Sequence, residues 1–318
     1  MSGEIAALLS AFVWAVASVL MTMGAKQLPV LPLNLVRVAI AATVFWALLP
    51  FFGGFQALAA ISPWAWVWLF VSVLALLVVG DTLYFRSMDL AGVSWAMPAS
   101  SIHPLWAVLL AWFFVGEPLT WSLVAGAMLV VVGIILVSRP TQKPSGDNPV
   151  GSLPAAAAGA EILQPTDARE PGDTAKSKAR KTGLFMALAA SLLWGTGQVA
   201  LKPATEGLDP VVANSARQSI AVLILLGLTL YRRQWRDLRG LGRQTWAVIV
   251  VASLLSTVIG TWLFIYAIQT IGAGRNSVIA ATAPLMALPF SMIWLRERPN
   301  RWTLAGTLVT AIGLVFVA

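Results

Sequence analysis

The chain has 318 residues, of which 58% are hydrophobic and only 11% charged, and its mean hydropathy of +0.82 places it in a lipid bilayer and outside the soluble globular classes. It contains no cysteine and one histidine, which excludes disulfides, thiolate nucleophiles, cysteine metal sites and a histidine-rich metal centre. The net charge of +8 is spread along segments that flank apolar stretches, the distribution that membrane insertion requires and not the basic face of a nucleic-acid binder.

Ten apolar stretches follow one another, each within the roughly 17–25 residues an α-helix needs to cross the hydrocarbon core. The first five lie near 4–24, 31–51, 63–86, 91–115 and 121–138. The first of them lacks a basic leader and is long enough to span, so it is expected to be a membrane helix and not a cleaved signal. Residues 139–182 then change character: prolines, an alanine run and Asp147, Glu161, Asp167 and Glu170 appear with no apolar period. This reads as a solvated, disordered linker. Lys176, Lys178, Arg180 and Lys181 at its end suit a topological anchor or a patch for anionic lipid. The second five stretches lie near 183–203, 211–231, 245–268, 273–295 and 301–318.

The second half repeats the first. Adding 180 to a position pairs Trp14 with Trp194, Asn34 with Asn214, Arg37 with Arg217 and Trp66 with Trp246. It also pairs Gly80 with Gly260, Gly92 with Gly272, Pro104 with Pro284, Glu117 with Glu297, Gly126 with Gly306 and Gly133 with Gly313. These residue types are not interchangeable apolar filler, so the chain is a tandem duplication, with repeats at 4–138 and 183–318. Each Glu ends an apolar helix near water, with a proline close behind and a helix N-cap (Thr120, Asn300) three residues on.

Five spans is an odd number, so two copies in tandem enter the membrane in opposite directions and form an inverted repeat. Charge agrees: the loop after the second span has no Lys or Arg, whereas its counterpart carries Arg232, Arg233, Arg236, Arg239 and Arg243. If basic loops stay cytoplasmic, both termini lie outside.

The recurring set of an early Trp, the pairs Asn34–Arg37 and Asn214–Arg217, Pro104–Leu105 with Pro284–Leu285, and Glu117 with Glu297 resembles the EamA type of the drug/metabolite transporter superfamily. The resemblance covers both halves outside the linker. It implies a ten-helix carrier in the cell (inner) membrane that moves small metabolites, often amino acids outward, by alternating access. Family members are drawn with both termini cytoplasmic, against the charge count here.

Polar groups inside the membrane are costly unless paired or facing a cavity, so they nominate the site. Residues that break the repeat are the better candidates, because an asymmetric solute needs an asymmetric site: His103 stands opposite Ala283, Asp81 opposite Thr261, Gln198 opposite Ser18 and Asn276 opposite Ala96. His103 follows Ser100 in a segment interrupted by Pro98 and Pro104, whose freed carbonyls suit a cavity wall. It is either a proton-exchanging group or a hydrogen-bonded structural one. Asp81 either carries a coupling proton or pairs with a loop residue such as Arg86. Arg37 and Arg217 either cap neighbouring structure or meet a carboxylate of the solute or a coupling acid. Trp14, Trp194, Tyr84 and Tyr266 either line a cavity for amphipathic solutes or pack between helices. No acid, histidine or nucleophile cluster points to an enzyme; a passive channel or a small-molecule receptor is the alternative to a carrier. The partners expected are the lipid bilayer, a small solute and a coupling proton, with no cofactor, metal or nucleic acid, in a monomer or homodimer. The paired glycines 126/133 and 306/313 predict close helix packing within the chain, a dimer interface being their other use.

Overall fold

The computed structural model describes residues 1–24, 29–138, 173–238, 240–294 and 301–317, which are helical apart from short connections. The first half comprises α1 (Gly3–Gly24), α2 (Val30–Leu48), α3 (Pro63–Ala91), α4 (Val93–Ser100), α5 (His103–Leu110, continued by a π-helical turn Ala111–Val115) and α6 (Trp121–Val137). The second comprises α7 (Asp173–Thr205), α8 (Pro210–Tyr231), α9 (Arg243–Ile271), α10 (Ala273–Ala280), α11 (Ala283–Trp294) and α12 (Arg301–Val317). Among the described residues, seven segments are long and apolar enough to cross a membrane: Gly3–Met21, Val30–Phe52, Pro63–Ala91, Trp95–Val115, Ala179–Thr205, Pro210–Tyr231 and Arg243–Ile271. α6 and α12 are apolar helices of 17 residues each, and the stretch expected at 273–295 is divided between α10 and α11.

Local chemistry sets the helix starts. Ser62, Thr120 and Asp209 act as N-caps, their side-chain oxygens accepting the amides of Ala65, Leu123 and Val211, and Pro63 and Pro210 occupy the first turn where their missing N–H costs nothing. Asn300 and Glu297 lie outside the described residues. The expected linker is shorter than its composition suggests, because α7 begins at Asp173. Residues 174–182, rich in Ala, Lys and Arg, are strong helix formers and extend the span by more than two turns.

Two features repeat at the 180-residue offset. π-helical turns occupy Leu74–Gly80 in α3 and Leu254–Gly260 in α9, and breaks separate α4 from α5 and α10 from α11. At the first break Pro104 cannot donate to the Ser100 carbonyl, and the hydroxyls of Ser100 and Ser101 both donate to Met97 O, at 2.9 and 2.8 Å. At the second, the Thr282 hydroxyl donates to Ile279 O at 2.7 Å.

The helices pack mostly on the other half. α1 lies against α9 and α11, while its equivalent α7 lies against α3 and α5; α2 pairs with α8, and α6 with α12. In the α6–α12 pair a Cβ on Gly126 would come 2.7 Å from Gly313 O, and one on Gly133 2.7 Å from Gly306 O, so hydrogen is the only side chain that fits. The glycine faces are thus taken up inside the chain. Outward-facing side chains are strongly apolar: Phe113, Leu223, Leu304 and Val315 are 62–78% exposed, a surface suited to lipid.

Candidate functional site

Between the halves lies a cavity of about 130 Å³. At about 30 Å³ per liquid water it holds roughly four waters, and it is close to the roughly 150 Å³ that accepts a benzene-sized molecule. Its wall draws Trp14, Asn34, Arg37, His103 and Leu76 from the first half, and Trp194, Gln198, Arg217, Gln218, Ser256, Thr257 and Phe264 from the second.

The two tryptophans are held in reciprocal ways. Each indole crosses to the other half and lies against the glycine that ends a π turn: Trp194 on Gly80, and Trp14 on Gly260. A Cβ on Gly80 would come 2.8 Å from the Trp194 ring, and one on Gly260 2.5 Å from the Trp14 Nε1, so only glycine leaves room. Trp14 Nε1 donates to the Ser256 carbonyl at 2.8 Å, inside the π turn where the helical ladder is loosened. Trp194 Nε1 donates instead to Asp81 Oδ1 at 3.2 Å. Asp81 breaks the repeat, and so the two indoles end on different acceptors.

Asp81 is 3% exposed and does not pair with Arg86. Arg86 lies 3.8 Å from Asp89 at the exposed end of the same helix, because two residues at i and i+3 share a face whereas 81 and 86 do not. Asp81 turns inward: Asn34 Nδ2 donates to its Oδ2 at 3.4 Å, and Asn34 Oδ1 accepts from Arg37 at 3.2 Å. Arg37 donates in addition to the Ser256 hydroxyl at 3.3 Å. One connected network thus joins α1, α2, α3, α7 and α9 across both halves.

His103 is 8% exposed and its Nδ1 lies 3.3 Å from Ser100 O, the carbonyl that Pro104 leaves free. A carbonyl only accepts, so this contact assigns the hydrogen to Nδ1. The ring stands edge-on to Trp194 at 5.9 Å.

Of the residues singled out from sequence, Trp14, Arg37, His103, Trp194, Gln198 and Arg217 meet at the cavity wall. Asp81 and Tyr84 form a layer behind Trp194, the Tyr84 ring being 4.9 Å from the indole. Ser100 is fully buried and bonded to its own helix. Tyr266 stacks on Trp262 and donates to Met1 O at 2.9 Å, away from the cavity. Asn276 is fully buried in α10 and does not line the cavity. Gln218, Ser256, Thr257 and Phe264 were not singled out. The first three had a signal, since they stand opposite Val38, Leu76 and Leu77 and so break the repeat with polar groups. Among the described residues no three His, Asp or Glu side chains are grouped to hold a metal.

The sequence model of the EamA-like transporter family matches residues 1–139 and 181–318. An uncharacterized transporter of Archaeoglobus fulgidus is 25% identical over 250 residues, which is 78% of this chain and 74% of that one. The uncharacterized transporter YoaV of Bacillus subtilis is 26% identical over 130 residues, 41% of this chain and 44% of its own. One crystal structure of another protein shares the fold with a TM-score of 0.74 over 99% of this chain and 94% of its own, at 17% identity.

Proposed function

The chain belongs to the EamA-like transporter family, a multi-pass membrane transporter, and from that premise we propose a secondary carrier that works by alternating access between two inverted five-span repeats, 4–138 and 183–318. The observation that carries the reading is the reciprocal exchange of contacts between the halves: Trp194 on Gly80 and Trp14 on Gly260 at the cavity, and Gly126 on Gly313 with Gly133 on Gly306 in the α6–α12 pair. Such an exchange is what a two-fold axis in the membrane plane would produce, and it gives two nearly equivalent arrangements that can open to opposite sides. Counting α4–α5 and α10–α11 as one span each gives the ten spans. The lining of aromatic faces with a few polar groups suits small amphipathic metabolites such as amino acids. Export across the inner membrane is the direction we favour, with Asp81 as the group that links solute movement to a proton.

Counterflow in proteoliposomes tests the carrier. Unlabelled solute on the trans side accelerates uptake of label through a carrier, because the loaded form reorients faster; a passive channel shows no such acceleration, and finding none for any transported solute overturns the reading.

A further inference from the structure

The two equivalent arginines of the cavity are not in equivalent states. Arg37 is engaged by Asn34 and Ser256 and stands beside the buried carboxylate of Asp81. Arg217 has no such surroundings. Thr261 occupies the place of Asp81 in the second half, and Asn214 turns away to donate to Pro210 O at 2.9 Å. Arg217 is 6% exposed and lines the cavity, yet among the described residues no carboxylate pairs with it; the Nε of both arginines lacks an acceptor, and the difference lies in the terminal nitrogens, which in Arg37 alone are engaged by other side chains. Gln218 beside it, fully buried, leaves both amide atoms without a partner, and Gln198 across the wall leaves its Oε1 without one.

A permanently charged guanidinium in a low-dielectric interior is costly unless something neutralises it. We infer that Arg217 is the anion anchor of the cavity and that the transported solute brings the missing counter-charge as a carboxylate. The planar fork of Arg matches a carboxylate in two parallel bonds. Gln198 Oε1, an acceptor, is suited to a donor group elsewhere on the same solute. The division of labour follows from one repeat-breaking residue: Asp81 neutralises Arg37 from within the protein, and the solute neutralises Arg217. Selectivity for a carboxylate then arises because a solute without one leaves the buried cation unpaired.

This rests on the carrier reading, and the two can fail separately. The experiment is a thermal-shift panel on the purified full chain with L-amino acids, each beside its carboxamide, and with inorganic phosphate as the tetrahedral anion. At least one amino acid should protect the wild type at concentrations about tenfold or more below those its amide requires, the minimum expected for one charge-assisted pair. Arg217→Gln should fold, since among the described residues it removes no ion pair, and should lose that preference; Arg217→Lys should keep part of it. If Arg217→Gln proves unfolded, the acid-against-amide comparison in the wild type still decides. The inference is overturned if amides protect as well as acids, if only phosphate protects, or if folded Arg217→Gln keeps the preference. Counterflow of a neutral or cationic solute in the same preparation would then show a carrier that lacks this anchor.

Discussion

Glu117 crosses from one half to cap a helix of the other: its carboxylate oxygens receive the amide N–H groups of Ala273 and Gly274, at 2.6 and 3.0 Å. The sequence places Glu117 at a helix end near water, and it is indeed only half-buried, but the end it serves is that of α10 and not its own. The arrangement satisfies two amides that the first turn of a helix leaves unpaired and sets a negative charge on the positive end of its dipole. Gly272, with φ of +88°, makes room, since a Cβ there would come 2.7 Å from the carboxylate. Replacing Glu117 by Gln keeps one acceptor and removes the charge, and about 1–2 kcal/mol of stability should go with them. Glu117→Ala should cost more, and Gly272→Ala should produce a similar loss from the other side. Melting of the purified chain measures all three; unchanged melting of Glu117→Ala would show the cap to be idle.

The glycines under the two indoles give a sharper test of the cavity. Gly80→Ala and Gly260→Ala each force a methyl against the crossing indole, and at Gly80 also against the Ala75 carbonyl of its own π turn, so the indole, the turn or both must shift and the bond to Asp81 or Ser256 is strained. Overpacking of this kind costs about 1–3 kcal/mol. Both variants should melt lower and lose counterflow activity, whereas Gly227→Ala, where a Cβ meets nothing within 4 Å, should keep both. Full activity in Gly80→Ala would mean that the position of Trp194 does not matter to transport.

Asp81 and His103 divide the question of proton coupling. Asp81 is the acid in the network that joins both halves, one layer behind the wall, and any change in its charge is felt at Arg37 through Asn34. His103 spends its Nδ1 hydrogen on a backbone carbonyl, which is a structural use. Asp81→Asn should therefore abolish the pH dependence of uphill transport while counterflow survives. His103→Gln should melt lower and keep the pH dependence. Asp81→Ala should be less stable than Asp81→Asn, because it leaves both Trp194 Nε1 and Asn34 without the acceptor they share. Uphill transport by Asp81→Asn with the wild-type pH profile would remove Asp81 from the coupling role.

These contrasts also show how far the residues alone reach. Span positions and the 180-residue offset follow from composition and from residues such as Trp14, Arg37 and Glu117 that filler does not repeat. Which face of a span turns inward does not. The π turns at Leu74–Gly80 and Leu254–Gly260 each insert an extra residue, which rotates the rest of the helix by about 100° relative to a plain 3.6-residue period. Beyond these turns Tyr84 and Tyr266 miss the cavity while Phe264, at the position equivalent to Tyr84, reaches it, so the offset does not carry the facing over from one half to the other. Gln218, Ser256 and Thr257, polar where the first half is apolar, were legible by the rule that selected His103. The cap from Glu117 to α10 was not, because it depends on how the halves cross.

Membrane orientation supplies the last prediction. With strict alternation of ten spans, the short helix Gly54–Ala59 after the second span and the 3-10 helix Gln234–Leu238 after the seventh fall on opposite sides. The first is uncharged, whereas Arg232, Arg233, Arg236 and Arg243 surround the second, and basic loops are retained in the cytoplasm. The same side receives Arg86, Arg180, Lys181 and Arg301 with Asp89 and Asp237, while Glu4, Glu117, Glu206 and Asp209 fall on the other with Lys202 and Arg275, so the basic excess lies on the first. The absence of native cysteine makes the measurement clean. In intact cells an impermeant maleimide should label Gln56→Cys and spare Asp237→Cys, with the pattern reversed in inside-out vesicles. The mirror-image result would reverse the orientation and leave the repeat standing, since the two sites would still differ. Labelling of both from one side would break the inverted repeat itself, because no odd-numbered unit read twice in tandem can return its equivalent loops to the same face.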